Sequence, residues 1–178
     1  MLPVKVDHSL IHRLFYPQVP LVMSASHQGR VSSMPVVSYL WVSDSPPVVA
    51  VSCRKGGFTC GLALEAGSFS LCVLDERFTQ AVAQLGSTGG SGVKDKLAAV
   101  GLRHRRGNAL GVPIVLGAAA SLECSVRSKT PVGDHLLLFG EVRSASAVPT
   151  FSRFWNYAKY KPILYAGWRD GLTTYPVA

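Results

Sequence analysis

The residues from Ser52 to Thr59 (Ser52, Cys53, Arg54, Lys55, Gly56, Gly57, Phe58, Thr59) close the apolar run that starts at Val48. They do so in an order that suits a phosphate monoester. A strand delivers the chain into a basic, glycine-bearing loop, and the loop opens a helix. Unpaired N–H groups and the partial positive charge of a helix start favour an anion. Arg54 can fork onto phosphate oxygens, Lys55 adds a point charge, and Ser52 and Thr59 offer hydroxyls. The P-loop spacing GxxxxGK(S/T) is absent, and no GxGxxG follows a strand. A solvated basic turn is the competing reading of the same residues.

Two further segments could carry chemistry. Ser32, Ser33 and Met34 precede Pro35 in an otherwise β-rich run. A strand interrupted by proline lies at an edge or bulge, where N–H and C=O groups stay open to a bound group. A planar heterocycle such as a flavin needs such donors and acceptors along one ring edge, with apolar surface on a face. An ordinary edge strand explains the pattern equally well. Asp134 and His135 follow Gly133 at the start of another strand, where His135 could serve a negative ligand or hold a proton near neutrality, or simply be structural. No GxSxG is present, and acidic residues are too scattered to supply paired carboxylates. No CxxC occurs, and no metal site is expected. Cys53, Cys60, Cys72 and Cys124 read as small buried apolar residues, with Cys60 at a helix start where its pKa could be lowered.

The elements that must position these residues are mostly strands. Strands are expected at 19–25, 31–41 (interrupted by Pro35), 48–53, 68–74, 114–126, 136–147 and 163–166. Helices are expected at 59–66, capped by Thr59 and ended by Gly67, and then at 76–85, 93–100 and 152–160. Helices do not alternate regularly with strands. The pattern is mainly β with helices, an α+β arrangement in which an antiparallel barrel or sandwich carries its helices outside, not a doubly wound parallel sheet. No repeat or linker divides the 178 residues, so one domain over 1–178 is expected.

Composition narrows the classes. Apolar types make up 48% of the chain and charged types 16%, enough for a real core and too few charges for a disordered chain. The N-terminus carries Asp7, His8, His12 and Arg13 where a signal peptide would be apolar. The longest uncharged stretch, near 108–122, is too short to span a bilayer, which takes about 20 residues. A cytoplasmic protein is expected, with no membrane partner. The net charge of +8 is dense only at Arg103–Arg106, without interleaved aromatics, so that cluster reads as a solvated loop and nucleic acid is not expected.

The candidate segments occur in the order of the flavin reductase-like, FMN-binding split-barrel family, which the chain resembles over roughly 17–142 and more faintly to Tyr175. Gly29–Arg30–Val31–Ser32–Ser33–Met34–Pro35 resembles the family's GRxNxAP strand, and Ser45 to Ser52 resembles its DPPLVAVS. Glu65–Ala66–Gly67–Ser68–Phe69 is similar to ESGEF, Asp95–Lys96 with Gly101–Leu102 to DKF and GL, and Gly133–Asp134–His135 with Phe139 to Val142 to GDHxLFVGEV. The segment from Pro162 to Gly167 resembles the closing strand. Departures are Ser32 for the family's Asn, Met34 for a small residue, Cys72 for a frequent Asn and Leu136 for a frequent Thr.

The resemblance implies a Greek-key-type barrel with peripheral helices, FMN (or FAD) as cofactor and NAD(P)H as reductant. Free flavin, ferric iron or an electron-transfer protein would be the acceptor, and two copies would pair as a homodimer. It implies that Ser32, Ser33 and Met34 line the flavin ring, mostly through backbone atoms. Ser52, Cys53, Arg54, Lys55 and Thr59 would hold the ribityl chain and phosphate, and Lys96 could reach the phosphate. His135 would stand on the nicotinamide side as the catalytic candidate. Two other classes stay open: a flavoredoxin-type electron carrier with no NAD(P)H activity of its own, and a related barrel of the pyridoxamine-phosphate oxidase or haem-binding type.

Overall fold

β1 (Leu21–His27) and β2 (Arg30–Val36) form a hairpin closed by Gln28–Gly29, whose φ angles are 46° and 73°. Two successive positive φ values match the right-handed twist of the flanking strands, and Gly29 meets no steric penalty there. The computed structural model describes residues 3–167 and 171–174. Tyr175, where the sequence resemblance ends, lies outside them.

The run read as one strand from Val31 to Trp41 is two strands, since β2 stops at Val36 and β3 spans Tyr39–Asp44. The N–H of Val31 leaves the sheet to reach the carbonyl of Lys94 at 2.8 Å. Residues 31, 33 and 35 therefore share the outward N–H phase, and Pro35 occupies a position that needs no donor. β2 is an edge strand, as the proline requires.

The remaining elements in chain order are β4 (Pro47–Arg54), α1 (Phe58–Ala66), β5 (Ser68–Val73), α2 (Thr79–Ser87) and α3 (Lys96–Ala99). Then come β6 (His104–Arg106), β7 (Pro113–Val115), β8 (Ala120–Val132), β9 (His135–Ala147), β10 (Ile163–Tyr165) and β11 (Leu172–Thr174). Seven strands pair in the order β2-β1-β5-β8-β9-β4-β3, every neighbouring pair antiparallel. The sheet does not close by hydrogen bonding, because β2 and β3 are both edges. The expected barrel is thus an open sheet, but one whose two ends share an interior. Val36 from β2, Val49 and Val51 from β4, Phe69 from β5 and Leu138 from β9 fall in one core with Cys60, Leu62 and Ala63 of α1.

Side-chain alternation builds a second core on the other face. Met23 and Leu71 enter the first core, whereas Val22 and Cys72, one residue along, pack with Val82 and Leu85 of α2, Leu97 of α3, Ile114 and Ile163. Both faces of β1 and β5 are covered, which is why these strands read as continuous apolar runs.

Several expected boundaries shift. The helix expected at 152–160 does not form; the segment is a series of turns in which Asn156 Oδ1 accepts the Ala158 N–H at 3.0 Å. Such a local side-chain bond competes with helix propagation. The basic cluster read as a solvated loop contains β6, and the long strand expected from 114 is broken between β7 and β8. A 3₁₀ segment spans His8–Phe15. Among the described residues no helix is long and apolar enough to cross a membrane.

Gly140 marks the tightest approach in the first core. A Cβ there would lie 2.5 Å from Phe69 Cζ and 3.0 Å from Cys124 Cβ, and Phe69 is fully buried. Gly140→Ala should destabilise the fold by about 1–3 kcal/mol through overpacking. Guanidinium denaturation checks this, and adding Phe69→Leu to the same chain should recover part of the loss. A Gly140→Ala chain as stable as the parent would show that the ring has room to move.

Candidate functional site

β4 ends where β9 begins, and their register sets Arg54 opposite His135. The Lys55 N–H donates to the Asp134 carbonyl at 3.0 Å, and Lys55 Nζ donates to the Gly133 carbonyl at 2.6 Å. Arg54 lies 3.9 Å from Asp134 Oδ2, and His135 Nδ1 is 2.7 Å from Asp134 Oδ1. The His135 hydrogen bond and charge, helped by Arg54, hold the Asp134 carboxyl below its usual range. A turn and a strand end distant in sequence thus make one exposed basic corner.

From this corner Gly56 and Gly57 lead into α1. Gly57 is the N-cap, and no side chain caps the helix. The expectation that Thr59 caps it is therefore corrected. Thr59 lies inside the first turn, and its Oγ1 is 2.8 Å from Ser32 Oγ in a buried hydrogen bond. The first-turn N–H groups are left without a side-chain acceptor.

The ten sequence-predicted residues do not all converge. Arg54, Lys55 and His135 meet at the basic corner, and Ser32 and Thr59 meet at the helix start. Ser33 is buried and donates to Ser24 Oγ at 2.7 Å. The Cys53 side chain points into the first core, 2% exposed, so only its backbone could face a ligand. Met34 packs half-buried against the same core, and the half-buried Ser52 gives its N–H to the Ser38 carbonyl at 2.8 Å. Lys96 comes from a third place, α3, which the Val31–Asp95 bridge holds alongside β2. It is only 5% exposed, and burial lowers its pKa. Among the described residues no carboxylate pairs with it.

Sequence reasoning missed the role of Arg30. Its guanidinium donates to the carbonyls of Gly90, Ser91 and Val93 and lies over the Phe58 ring, 4.6 Å from the centroid. Gly90 is pressed against this pair, since a Cβ there would sit 2.8 Å from Phe58 Cδ1 and 2.9 Å from Ser32 Oγ. A groove of about 470 Å³ opens beside them, with His27, Arg30, Phe58, Cys60 and Glu65 in its walls. None of the ten predicted residues lines it. The glycine-arginine pair at the hairpin was the available signal. Also missed was Asp95, which accepts from the Ala98 N–H at 3.0 Å and lies 2.8 Å from His104 Nε2, fixing the start of α3 and with it Lys96.

The antiparallel sheet thus carries an exposed basic corner of Arg54, Lys55 and His135, a start of α1 with no side-chain cap, and a mostly buried lysine on α3. Residues 12–166 match the model of the flavin reductase like domain, and the chain belongs to that family. It is 31% identical over 164 residues to an uncharacterised protein of Aeropyrum pernix, matching 92% of this chain and spanning 62% of that relative's length. A flavin reductase of Pseudomonas putida is 32% identical over 129 residues, 72% of each chain. An FMN-binding protein from Thermus thermophilus, solved with bound 1-cyclohex-2-enone, aligns with a TM-score of 0.83 at 28% identity, over 98% of this chain and 96% of that one.

Burial pushes the Asp95 carboxyl up, but the Ala98 N–H and the His104 ring outweigh it and the net shift is downward. A carboxyl lowered by folding adds stability above its unfolded value, about 3.9, and loses it as pH falls through the folded value. Asp95→Ala should therefore cost about 0.5–2 kcal/mol at neutral pH. Denaturation curves from pH 7 to pH 3 should show the gap to the parent closing in acid. A gap that stays constant over that range would mean the charge contributes nothing.

Proposed function

We propose that this protein is an FMN-binding oxidoreductase that passes reducing equivalents from NAD(P)H to free flavin, ferric iron or a protein acceptor. One observation carries the reading. A chain of the flavin reductase-like family brings Arg54, Lys55 and His135 to one corner, next to the uncapped first turn of α1. The donor set fits a flavin phosphate. Arg54 and Lys55 are exposed cations, α1 presents N–H groups without a side-chain acceptor, and Lys96 is a mostly buried lysine lacking a carboxylate partner among the described residues. Anion binding at such a helix start is favoured by the N–H groups and the dipole together.

When bound, the flavin supplies the two-electron chemistry, and the protein orients it and tunes its surroundings. In this reading Arg54, Lys55 and Lys96 hold the phosphate. The outward backbone of Ser32 to Met34 meets one edge of the ring system, with Ser52 and the Cys53 main chain along the ribityl side. His135, steadied by Asp134, stands at the rim where a second substrate arrives. Thr59 acts indirectly, by fixing Ser32 to α1.

Purified protein, as isolated or after incubation with FMN, should be yellow. Anaerobic titration with NADH or NADPH should bleach the band near roughly 450 nm. Protein that stays colourless with FMN defeats the reading, and a persistent yellow would make it an electron carrier without NAD(P)H activity. Replacing Arg54 and Lys55 by Ala should weaken FMN binding by about 1.5–3 kcal/mol per charged hydrogen bond lost. Riboflavin, which lacks the phosphate, should be nearly unaffected. Equal losses for both ligands, measured by fluorescence titration, would place the phosphate elsewhere.

A further inference from the structure

The groove beside α1 runs on from the basic corner. Gly56 and Gly57, which follow Arg54 and Lys55 in the same loop, line it, and Cys60, Gly61, Leu64 and Glu65 carry its wall along α1. Spacings of three and four residues keep that wall on one side of the helix. His27 and Gln28, at the β1–β2 turn, belong to the other wall. The volume of about 470 Å³ falls in the range of small-molecule sites, roughly 300–1,000 Å³.

Two features suit the groove to a polar ligand. Glycine inside a helix weakens it relative to alanine. At Gly61 neither backbone nor packing calls for one: the residue is helical, and a Cβ there would meet nothing within 4 Å. Its missing side chain widens the groove. In addition, among the described residues the side chains of His27, Gln28 and Glu65 make no hydrogen bond or ion pair, so their polar atoms are unclaimed by the protein.

We propose, on the reading of the corner as a flavin-phosphate site, that this groove seats an adenosine 5′-phosphate group, the half that FAD and NAD(P)H share. Its phosphate lies at the Gly56–Gly57 end, beside the cations Arg54 and Lys55. In FAD the two phosphates are joined, so one at the corner puts the next at these glycines. Glu65 stands eight residues beyond Gly57, about 12 Å along the helix. That separation suits a nucleotide laid along α1, with its base over Leu62 and Leu64 and its 6-amino group donating to the Glu65 carboxylate. A purine with oxygen at position 6 brings an acceptor to that carboxylate instead and is rejected.

The test is titration calorimetry of the purified full chain with AMP and with inosine monophosphate, whose base carries oxygen at position 6. AMP should bind, and inosine monophosphate should bind about tenfold more weakly. Glu65→Gln should remove that preference. Gly61→Trp, which fills the groove, should abolish AMP binding while FMN affinity stays unchanged. Glu65→Gln changes one exposed side chain without a protein partner, so its readout stands even if the Trp variant fails to fold. FAD that binds about tenfold tighter than FMN, with the gain lost in Gly61→Trp, assigns the groove to the flavin dinucleotide. Equal FAD and FMN affinities, with a KM for NADH that rises in Gly61→Trp, assign it to the nicotinamide dinucleotide. Absence of AMP binding, equal affinity for the two monophosphates, or AMP binding that survives Gly61→Trp overturns the proposal. A chain that binds FMN but not AMP loses the groove alone, whereas one that binds AMP but not FMN loses the flavin reading and keeps the groove.

Discussion

The buried hydrogen bond between Ser32 and Thr59 is the constraint on which the candidate site depends. β2 is an edge of the sheet and α1 packs over the first core, and this bond joins them through side chains alongside the contact of Arg30 with Phe58. Both hydroxyls are buried, so neither can turn to water if the other is lost. An intact bond contributes about 0.5–1.5 kcal/mol, but orphaning one partner costs about 1–3 kcal/mol. That asymmetry holds the helix start against the outward-facing backbone of β2. Gly90 completes the arrangement, because any larger residue would push on Ser32 and Phe58 at once. The Arg30 guanidinium then ties the 90–93 carbonyls over the same place.

The fold was largely legible where local pattern and tertiary demand agree. Val48 to Cys53 reads as a buried strand because β4 is flanked by β3 and β9 with apolar contacts along it. Gly67 ends α1 in the left-handed conformation, as a helix-stop glycine should. Thr59 misled because its hydroxyl is claimed by Ser32, twenty-seven positions earlier, and no local rule contains that partner. The 152–160 segment misled for the opposite reason. It reads as a polar aromatic helix, but Asn156 supplies a local turn, and the Trp155 ring packs at a tilt on Phe151 and Tyr160, 4.9 and 4.3 Å between ring centroids. Closure of the sheet was expected from family resemblance and is a matter of edge pairing, which strand patterns do not encode.

The site was legible as residue types and only partly as geometry. Arg54, Lys55 and His135 were each visible as candidates, yet their meeting depends on the β4–β9 register, fixed by the alternation of buried residues along both strands. The same alternation turns Cys53 inward and leaves Arg54 outside, a distinction that the motif alone does not draw. The link between Asp95 and His104 joins a helix start to a strand read as solvated loop, so neither residue signalled the other.

Lys96 shows how the two readings of the positive charge can be separated. Most of the net charge of +8 lies on solvated side chains and needs no ligand. Arg30 is committed to carbonyls within the protein. Lys96 differs because burial of its side chain lowers its pKa and no described carboxylate pairs with it. A desolvated ammonium costs free energy unless an anion or hydrogen-bond acceptors compensate it. An anion that arrives there recovers part of that cost, so its binding is coupled to the stability of the fold that buries the lysine. The same coupling makes α3 more than a cover for the second core. Asp95 fixes the first turn, and the turn carries Lys96 at its start.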